Sequence, residues 1–358
     1  MAKEIKKTVF VGISGGVDSS VSAAVLKKQG YNVVGVFIKT WSPDFIECSW
    51  KKERRDAMRV CAHLDIPFLE CDAEESYKKE VADYMIQEYK EGRTPNPDVM
   101  CNRMVKFGIF GKFAKENGAD FIATGHYAIN DNNKEKFLLK KSPDKNKDQS
   151  YFLWTLTQED LKHILFPIGH LEKTNVRKLA KEFKIPVAVK KDSQGVCFLG
   201  PLDMKDFLKH FISEQKGNVL NEKKEVIGYH NGATFFTIGE RHGFVINKKT
   251  EKDRPYYVIS KDINNNTITV SDNFLESQKE ENKSVIELIN TNWINEIPRK
   301  NEKYQAQIRY HGEFLDCEIF KTEQSRYKIS FNKNILVDKG QSVVLYNKDI
   351  CLGGGIVK

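Results

Sequence analysis

Apolar and polar positions in the first two hundred residues alternate between two periods. Residues 7–13, KTVFVGI, are apolar and β-branched and stop at a glycine joint, as a buried strand does. The next segment, VDSSVSAAVLKKQG, sets Val17, Val21, Ala24 and Val25 on one helical face and ends at Gly30, a helix-stop signal. Strands are expected again at 31–38 (YNVVGVFI), at PFLECDA and at 120–125 (DFIATG). Helices are expected at 51–64, at 74–90 and along VKFGIFGKFAKENGA. Strands alternating with helices imply right-handed βαβ units and a doubly wound parallel sheet covered on both faces. After about residue 205 the period changes. LDMKDFLKHF is a last helix, and from Gly217 short strands and polar turns follow one another. This predicts an α/β catalytic domain over 1–205, a small, mostly β central domain over 206–283, and a C-terminal β-barrel over 284–358.

Composition narrows the class. The 40% hydrophobic and 30% charged residues suit a globular chain, and no apolar run reaches the ~18 residues of a membrane helix. The basic N-terminus runs into a glycine-rich break too early for a signal peptide, and the first arginine is Arg54, which excludes an arginine-rich transit peptide. A cytoplasmic location with no membrane partner is the expectation. A net charge of +8 suits an anionic partner such as RNA. None of the seven cysteines stands in C-x-x-C spacing, so most are read as small buried apolar groups, with one or two left for chemistry.

Three stretches carry that chemistry. In the first, SGGVDS (14–19), a strand runs through two glycines into a helix. The helix start offers backbone N–H donors and the positive end of its dipole, and the glycines remove Cβ atoms that would block a phosphate. It is not a Walker loop, because no lysine follows Gly16, nor a G-x-G-x-x-G fingerprint. Asp18 beside phosphates calls for a cation between them, which suggests Mg²⁺. In the second, EGRTPNPDVMCNRMVKFG (91–108), Pro95 and Pro97 keep the chain extended, and Asp98 and Cys101 then lead into a helix. A thiol of pKa ~8.5 is only a few per cent ionised at neutral pH, so a helix start and nearby Arg93, Arg103 and Lys106 would help it. Asp98 is placed to move or hold a proton. In the third, KKDSQGVCFLG (190–200), Cys197 follows a Ser-Gln-Gly turn and two lysines.

The hexapeptide resembles the pyrophosphate loop of the ATP pyrophosphatase superfamily, whose members cut ATP between its α and β phosphates. With RTPNPDVMCN, ATGHYA, KDQSYFLWTL, KKDSQGVCFLG, TIGERHG, IRYHG and CLGGGI, the whole chain resembles the bacterial-type tRNA-specific 2-thiouridylases. The resemblance implies ATP and Mg²⁺ as cofactors, with nucleotide held by Gly12, Ile13, Ser14, Gly15, Gly16, Val17, Asp18 and Ser19, and by Ile38 and Gly125. It places the target base at Asn96, Pro97 and Asp98, with Asp98 as acid/base. Further tRNA contacts fall on His126, Lys147, Asp148, Gln149, Arg309, Tyr310 and Gln341. Cys197 would carry a persulfide delivered by a sulfur-carrier protein. Cys101 would complete release through a transient disulfide with Cys197, or by liberating sulfide. The partner would be the anticodon stem-loop of tRNA, whose unpaired bases can be splayed into a pocket.

One departure is GERHGFVINKKTEKDRPYYV, which lacks the glycine-rich run that usually follows TIG-x-R in the family. The loop IECSW around Cys48 receives no role. Two rival readings remain at this level. An amidotransferase-type synthetase of the same superfamily would need an ammonia source and not both cysteines. A nucleotide-regulated RNA-binding protein without catalysis would tolerate serine at both.

Overall fold

The computed structural model describes residues 6–45, 50–133, 136–192, 203–247, 254–273, 284–300, 302–322 and 326–358. Five parallel strands form the first sheet: β1 (Thr8–Gly12), β2 (Asn32–Lys39), β3 (Phe68–Asp72), β4 (Phe121–Ala123) and, after a hairpin described below, β7 (Ile164–Leu165). Their order is β3-β2-β1-β4-β7, so the winding direction reverses between β1 and β4. Such a switch point opens a crevice at the carboxyl ends of the strands. Alternation along β1 builds both faces of the sheet. Val9 and Val11 enter one core with Val21, Val60 and Val176, whereas Phe10 enters the other with Phe110, Trp154 and Tyr346.

The helix carrying Cys101 departs from the expectation. It starts at Pro97 rather than near Val105 and continues through Pro97–Met100, a π-helical stretch Cys101–Ile109, and Phe110–Glu116. Asn96 caps it by accepting from the Val99 N–H at 3.2 Å. Pro97 takes a first-turn position, where its missing N–H costs nothing. The helix at 74–90 also holds a π-helical segment, Lys78–Asp83. Such segments are rare and gather at functional sites.

A hairpin not foreseen from the sequence, β5 (Ala128–Asn132) and β6 (Phe137–Lys141), leaves the first sheet's sequence region and joins the barrel. The central domain is a sheet of β8 (Gly217–Leu220), β9 (Val226–His230), β10 (Phe244–Ile246), β11 (Tyr257–Asp262) and β12 (Thr267–Ser271). The barrel is built from β13 (Ser284–Trp293), β14 (Tyr304–Gln307), β15 (Leu315–Lys321), β16 (Tyr327–Phe331), β17 (Ser342–Asn347) and β18 (Ile350–Val357), and it closes through β13 and β18. The hairpin attaches where Lys140 pairs with Ile350. Tyr346 and Cys351 of the barrel lie in the same core as Phe10 and Val36 of the first sheet, so the two regions share apolar packing.

Candidate active site

The loop after β1 lies at the switch point. Gly15 has φ +71°, and a Cβ there would stand 2.5 Å from the Glu53 carbonyl oxygen, so this position demands glycine. Gly16 caps the helix Val17–Lys28 without a side-chain bond, which leaves the first-turn N–H groups to an incoming anion. The Ser20 hydroxyl donates to the Gly16 carbonyl at 2.6 Å, and the Ser14 N–H donates to Ser19 Oγ at 3.3 Å. From the other side of the crevice, the loop after β4 presses against the same turn. A Cβ on Gly125 would meet the Ser19 nitrogen at 2.7 Å and the Asp18 carbonyl carbon at 2.9 Å. A Cβ on Gly12 would just touch Ile38 and Phe110, at 3.5 Å each. Gly12, Ile38 and the Cys101 helix therefore meet at one edge of the sheet. The loop fits a polyphosphate: its glycines clear the approach and its helix start faces it.

Asp18 is held by residues the sequence reading missed. Lys173 Nζ donates to both its carboxylate oxygens at 2.7 and 2.8 Å, and the Tyr127 hydroxyl donates to Oδ1 at 2.9 Å. Lys173 also meets Asp192 at 2.8 Å, and Lys147 and Arg177 pair with that same carboxylate. Burial works to raise the Asp192 carboxyl, yet the bonds and charges of Lys147 and Lys173 hold it down at about 2. Lys190 reaches the Gly15 carbonyl at 3.0 Å and Asp56 at 2.8 Å. Lys147, expected at the tRNA, pairs with Asp192, and Lys190 joins the loop itself, so both are part of the loop's ion network. Lys173, 155 residues from Asp18, has no local sequence signal.

The residues expected at the target base and the tRNA form a second set. Asn96 and Arg309 both act on the buried Tyr151 hydroxyl, whose pKa burial drives upward. Tyr310, on the rim of the barrel, packs on Phe152 with ring centroids 4.3 Å apart. Burial, followed by the charges of Asp148, Asp98 and Asp144, pushes its hydroxyl up to about 12. Pro97 is buried and Asp98 half-buried at the helix start. Arg309 donates to the Ile238 carbonyl at 2.6 Å, and its burial lowers the guanidinium's pKa. Gln341 presents a buried Oε1 that has no partner among the described residues. It follows Gly340, where a Cβ would lie 3.1 Å from the Thr94 carbonyl oxygen.

Some sequence-assigned contacts serve the fold as well. Asp148 is half-buried and accepts from the Ser142 N–H at 2.9 Å and the Ser150 hydroxyl at 2.9 Å. Burial raises its pKa against those bonds. Gln149 accepts from the Tyr127 N–H at 3.0 Å and returns its own N–H to the Tyr127 carbonyl at 2.8 Å. His126 is buried, and its Nδ1 lies 2.7 Å from Thr124 Oγ1. Burial and then the Lys106 charge hold its ring well below the ordinary histidine range, so it is neutral. Tyr127 thus joins the two halves of the site, with its hydroxyl on Asp18 and its backbone on Gln149.

Cys101 is 3% exposed and packs in a cluster with Val105, Met85 and Phe207, flanked by Ile38. It lies one turn inside its helix, not at the start. Cys197 and Cys48 lie outside the described residues. Among the described residues, no group of three or more His, Cys, Asp or Glu could hold a metal ion, and no helix is long and apolar enough to cross a membrane.

Comparison with known proteins follows the three regions. A family model described as the tRNA methyl transferase HUP domain matches residues 7–201. The tRNA methyl transferase PRC-barrel domain matches 205–272, and the aminomethyltransferase beta-barrel domain 283–357. The tRNA-specific 2-thiouridylase MnmA of Buchnera aphidicola subsp. Baizongia pistaciae is 43% identical, the match covering 99% of this chain and 98% of that one. The proteins of the same name from Bacillus subtilis (40% identical; 98% and 94% covered) and Serratia proteamaculans (38%; 100% and 99%) agree with it end to end.

Proposed function

The chain belongs to the tRNA-specific 2-thiouridylase family, and from that membership we propose that it replaces O2 of the tRNA wobble uridine with sulfur, using ATP and Mg²⁺. The observation that supports this reading most is that Ile38, at the end of β2, borders both Gly12 of the phosphate-type loop and the apolar cluster that holds Cys101. Methyl transfer, which the domain label names, has no use for an adenylation loop. The relatives matched over their full length are named for sulfur.

The residues divide the work as follows. The Gly12–Ser19 loop binds ATP, and Asp18 is the carboxylate suited to Mg²⁺. That ion takes most of its ligands from phosphate and water and so needs no cluster of side chains. The uracil O2 attacks the α phosphate, the α–β bond breaks and pyrophosphate leaves. AMP is then the departing group at C2. The terminal sulfur of a Cys197 persulfide, supplied by a carrier protein, attacks C2 and AMP departs with the oxygen. Cys101 as thiolate attacks the Cys197 sulfur; the S–S bond to the base breaks, 2-thiouridine is released and a Cys101–Cys197 disulfide forms. A dithiol reductant returns two electrons to reset the pair. Asp98 moves the proton, and Arg309, Tyr310, Lys147 and Gln341 hold the anticodon stem-loop, in the cytoplasm where tRNA is found.

The test is mass spectrometry of tRNA nucleosides after incubation with ATP, Mg²⁺ and a persulfide donor. ATP-dependent 2-thiouridine at the wobble position is expected. Unmodified tRNA with a folded, tRNA-binding protein would overturn the reading.

A further inference from the structure

Asn102 follows Cys101 directly and is 2% exposed. Its Nδ2 donates to the Phe152 carbonyl at 3.2 Å, while its Oδ1 is buried with no hydrogen-bond partner among the described residues. Turning the amide over would set two oxygens face to face, so the carbonyl fixes which end points where. A buried acceptor left unmatched costs stability that an apolar side chain of similar size would not. That cost points to a use for the amide besides packing. Phe152 is where two stretches expected at the tRNA meet. Its N–H donates to the Gln149 carbonyl at 3.0 Å, and its ring lies 4.3 Å from that of Tyr310. The helix is π-wound over Cys101–Ile109, and such winding is rare and mostly a single turn long. The direction in which Cys101 faces about the helix axis thus depends on what holds that turn.

We propose that Asn102 is a positioning residue: its amide ties the turn that bears Cys101 to the Phe152 turn, so that the thiol is held in register with the surface where Gln149 and Tyr310 meet the tRNA. The proposal rests on the thiolation reading, with Cys101 as the thiol that releases product, and adds to it the residue that aims the thiol. Its consequence falls on one step. Adenylation of uracil uses the Gly12–Ser19 loop and not the thiol. The turn expected at the base is fastened separately, through the Asn96 cap and Tyr151. Adenylation is therefore indifferent to the Asn102 amide, whereas release of 2-thiouridine by Cys101 depends on it.

The test is single-turnover reaction of the full chain with ATP, Mg²⁺, a persulfide donor and tRNA, following pyrophosphate release and 2-thiouridine release separately in wild type, Asn102→Leu and Asn102→Ala. Loss of one hydrogen bond to a backbone carbonyl predicts 2-thiouridine release slowed roughly three- to tenfold in Asn102→Leu. Pyrophosphate release and tRNA affinity should hold, and tRNA joined to the protein by a reducible bond should accumulate. Asn102→Ala lacks the amide without added bulk and should show the same split, which decides the question where Asn102→Leu does not fold. Equal slowing of both steps overturns the proposal, because Asn102 then supports the site as a whole. Slowing of neither overturns it too, because the amide is then idle. Normal thiolation by Cys101→Ser removes the thiol being aimed, and the proposal falls with that role. A wild type that releases neither product overturns the thiolation reading itself.

Discussion

Cys101 differs from its fellow thiols in where it sits, not in how deeply it is buried. Cys61, Cys317 and Cys351 are sealed in apolar cores, where burial pushes each thiol up to about 12, and Cys71 rises to about 11 for the same reason. Those four stay protonated and fill space. Cys101 packs beside Ile38, at the strand end that also borders Gly12. Replacing it by serine should abolish 2-thiouridine formation while tRNA binding, measured by filter retention, survives. The hydroxyl also enters an apolar cluster, at a cost of about 1–3 kcal/mol in denaturant unfolding. A Cys101→Ser enzyme that thiolates normally would strip the residue of its role. At this scale the sequence was readable wherever the chemistry is written in consecutive residues, as in Ser14–Ser19 and Asn96–Cys101. It was silent about Lys173 and Tyr127, because a bond to Asp18 across more than a hundred positions leaves no spacing to recognise.

Two short elements decide how the site is presented. At the start of the Cys101 helix, the Asn96 side chain both caps the first turn and neighbours Tyr151. Asn96→Ala should lose the cap, about 1 kcal/mol by chemical denaturation. Asn96→Asp keeps the acceptor and should hold stability, yet lower kcat/KM for tRNA if the amide meets the base; unchanged kinetics in Asn96→Asp would leave Asn96 as a cap alone. The helix start was misplaced because Pro97 was taken as an extender of the chain, when Asn-Pro also reads as a cap followed by a first-turn proline. The second element is the corner after β4. Its His126 ring is neutral in the fold, and on unfolding it returns to a pKa of about 6.5. Below that pH the unfolded chain binds a proton that the folded chain refuses, so stability falls as pH drops from 7 toward 5. Urea midpoints at pH 7.5 and 5.5 should therefore separate less in His126→Gln than in wild type. Equal separations would mean that the ring takes up its proton in the fold as it does in the unfolded chain.

One buried carboxylate touches all three regions. Asp338 of the barrel is 2% exposed, and Lys261 of the central domain, 5% exposed, lies 2.6 Å from it. The Thr94 hydroxyl, from the segment leading to Asn96, donates to the same Oδ2 at 2.6 Å, and the Thr94 N–H donates to the Lys339 carbonyl at 2.7 Å. Burial holds the Lys261 ammonium below its ordinary pKa in spite of this partner. The alternating pattern after residue 284 made the barrel legible. The junction was not, because each of its residues looks like an ordinary surface group in its own stretch. The hairpin Ala128–Lys141 escaped for a related reason: its polar AINDNNKEK half looks like a loop until the barrel edge pairs with it. Removing one partner of a buried pair strands the other, so Asp338→Leu should cost roughly 3–5 kcal/mol. Lys261→Met added to it should restore most of that stability, since the two apolar side chains then pack together. The functional effect should be lopsided. ATP affinity depends on the Gly12–Ser19 loop and should hold in the double variant, whereas kcat/KM for tRNA should fall several-fold because Thr94 has lost its anchor two residues before Asn96. Recovered stability together with unchanged tRNA kinetics would show that Asp338 fastens the domains without setting the Asn96–Asp98 turn.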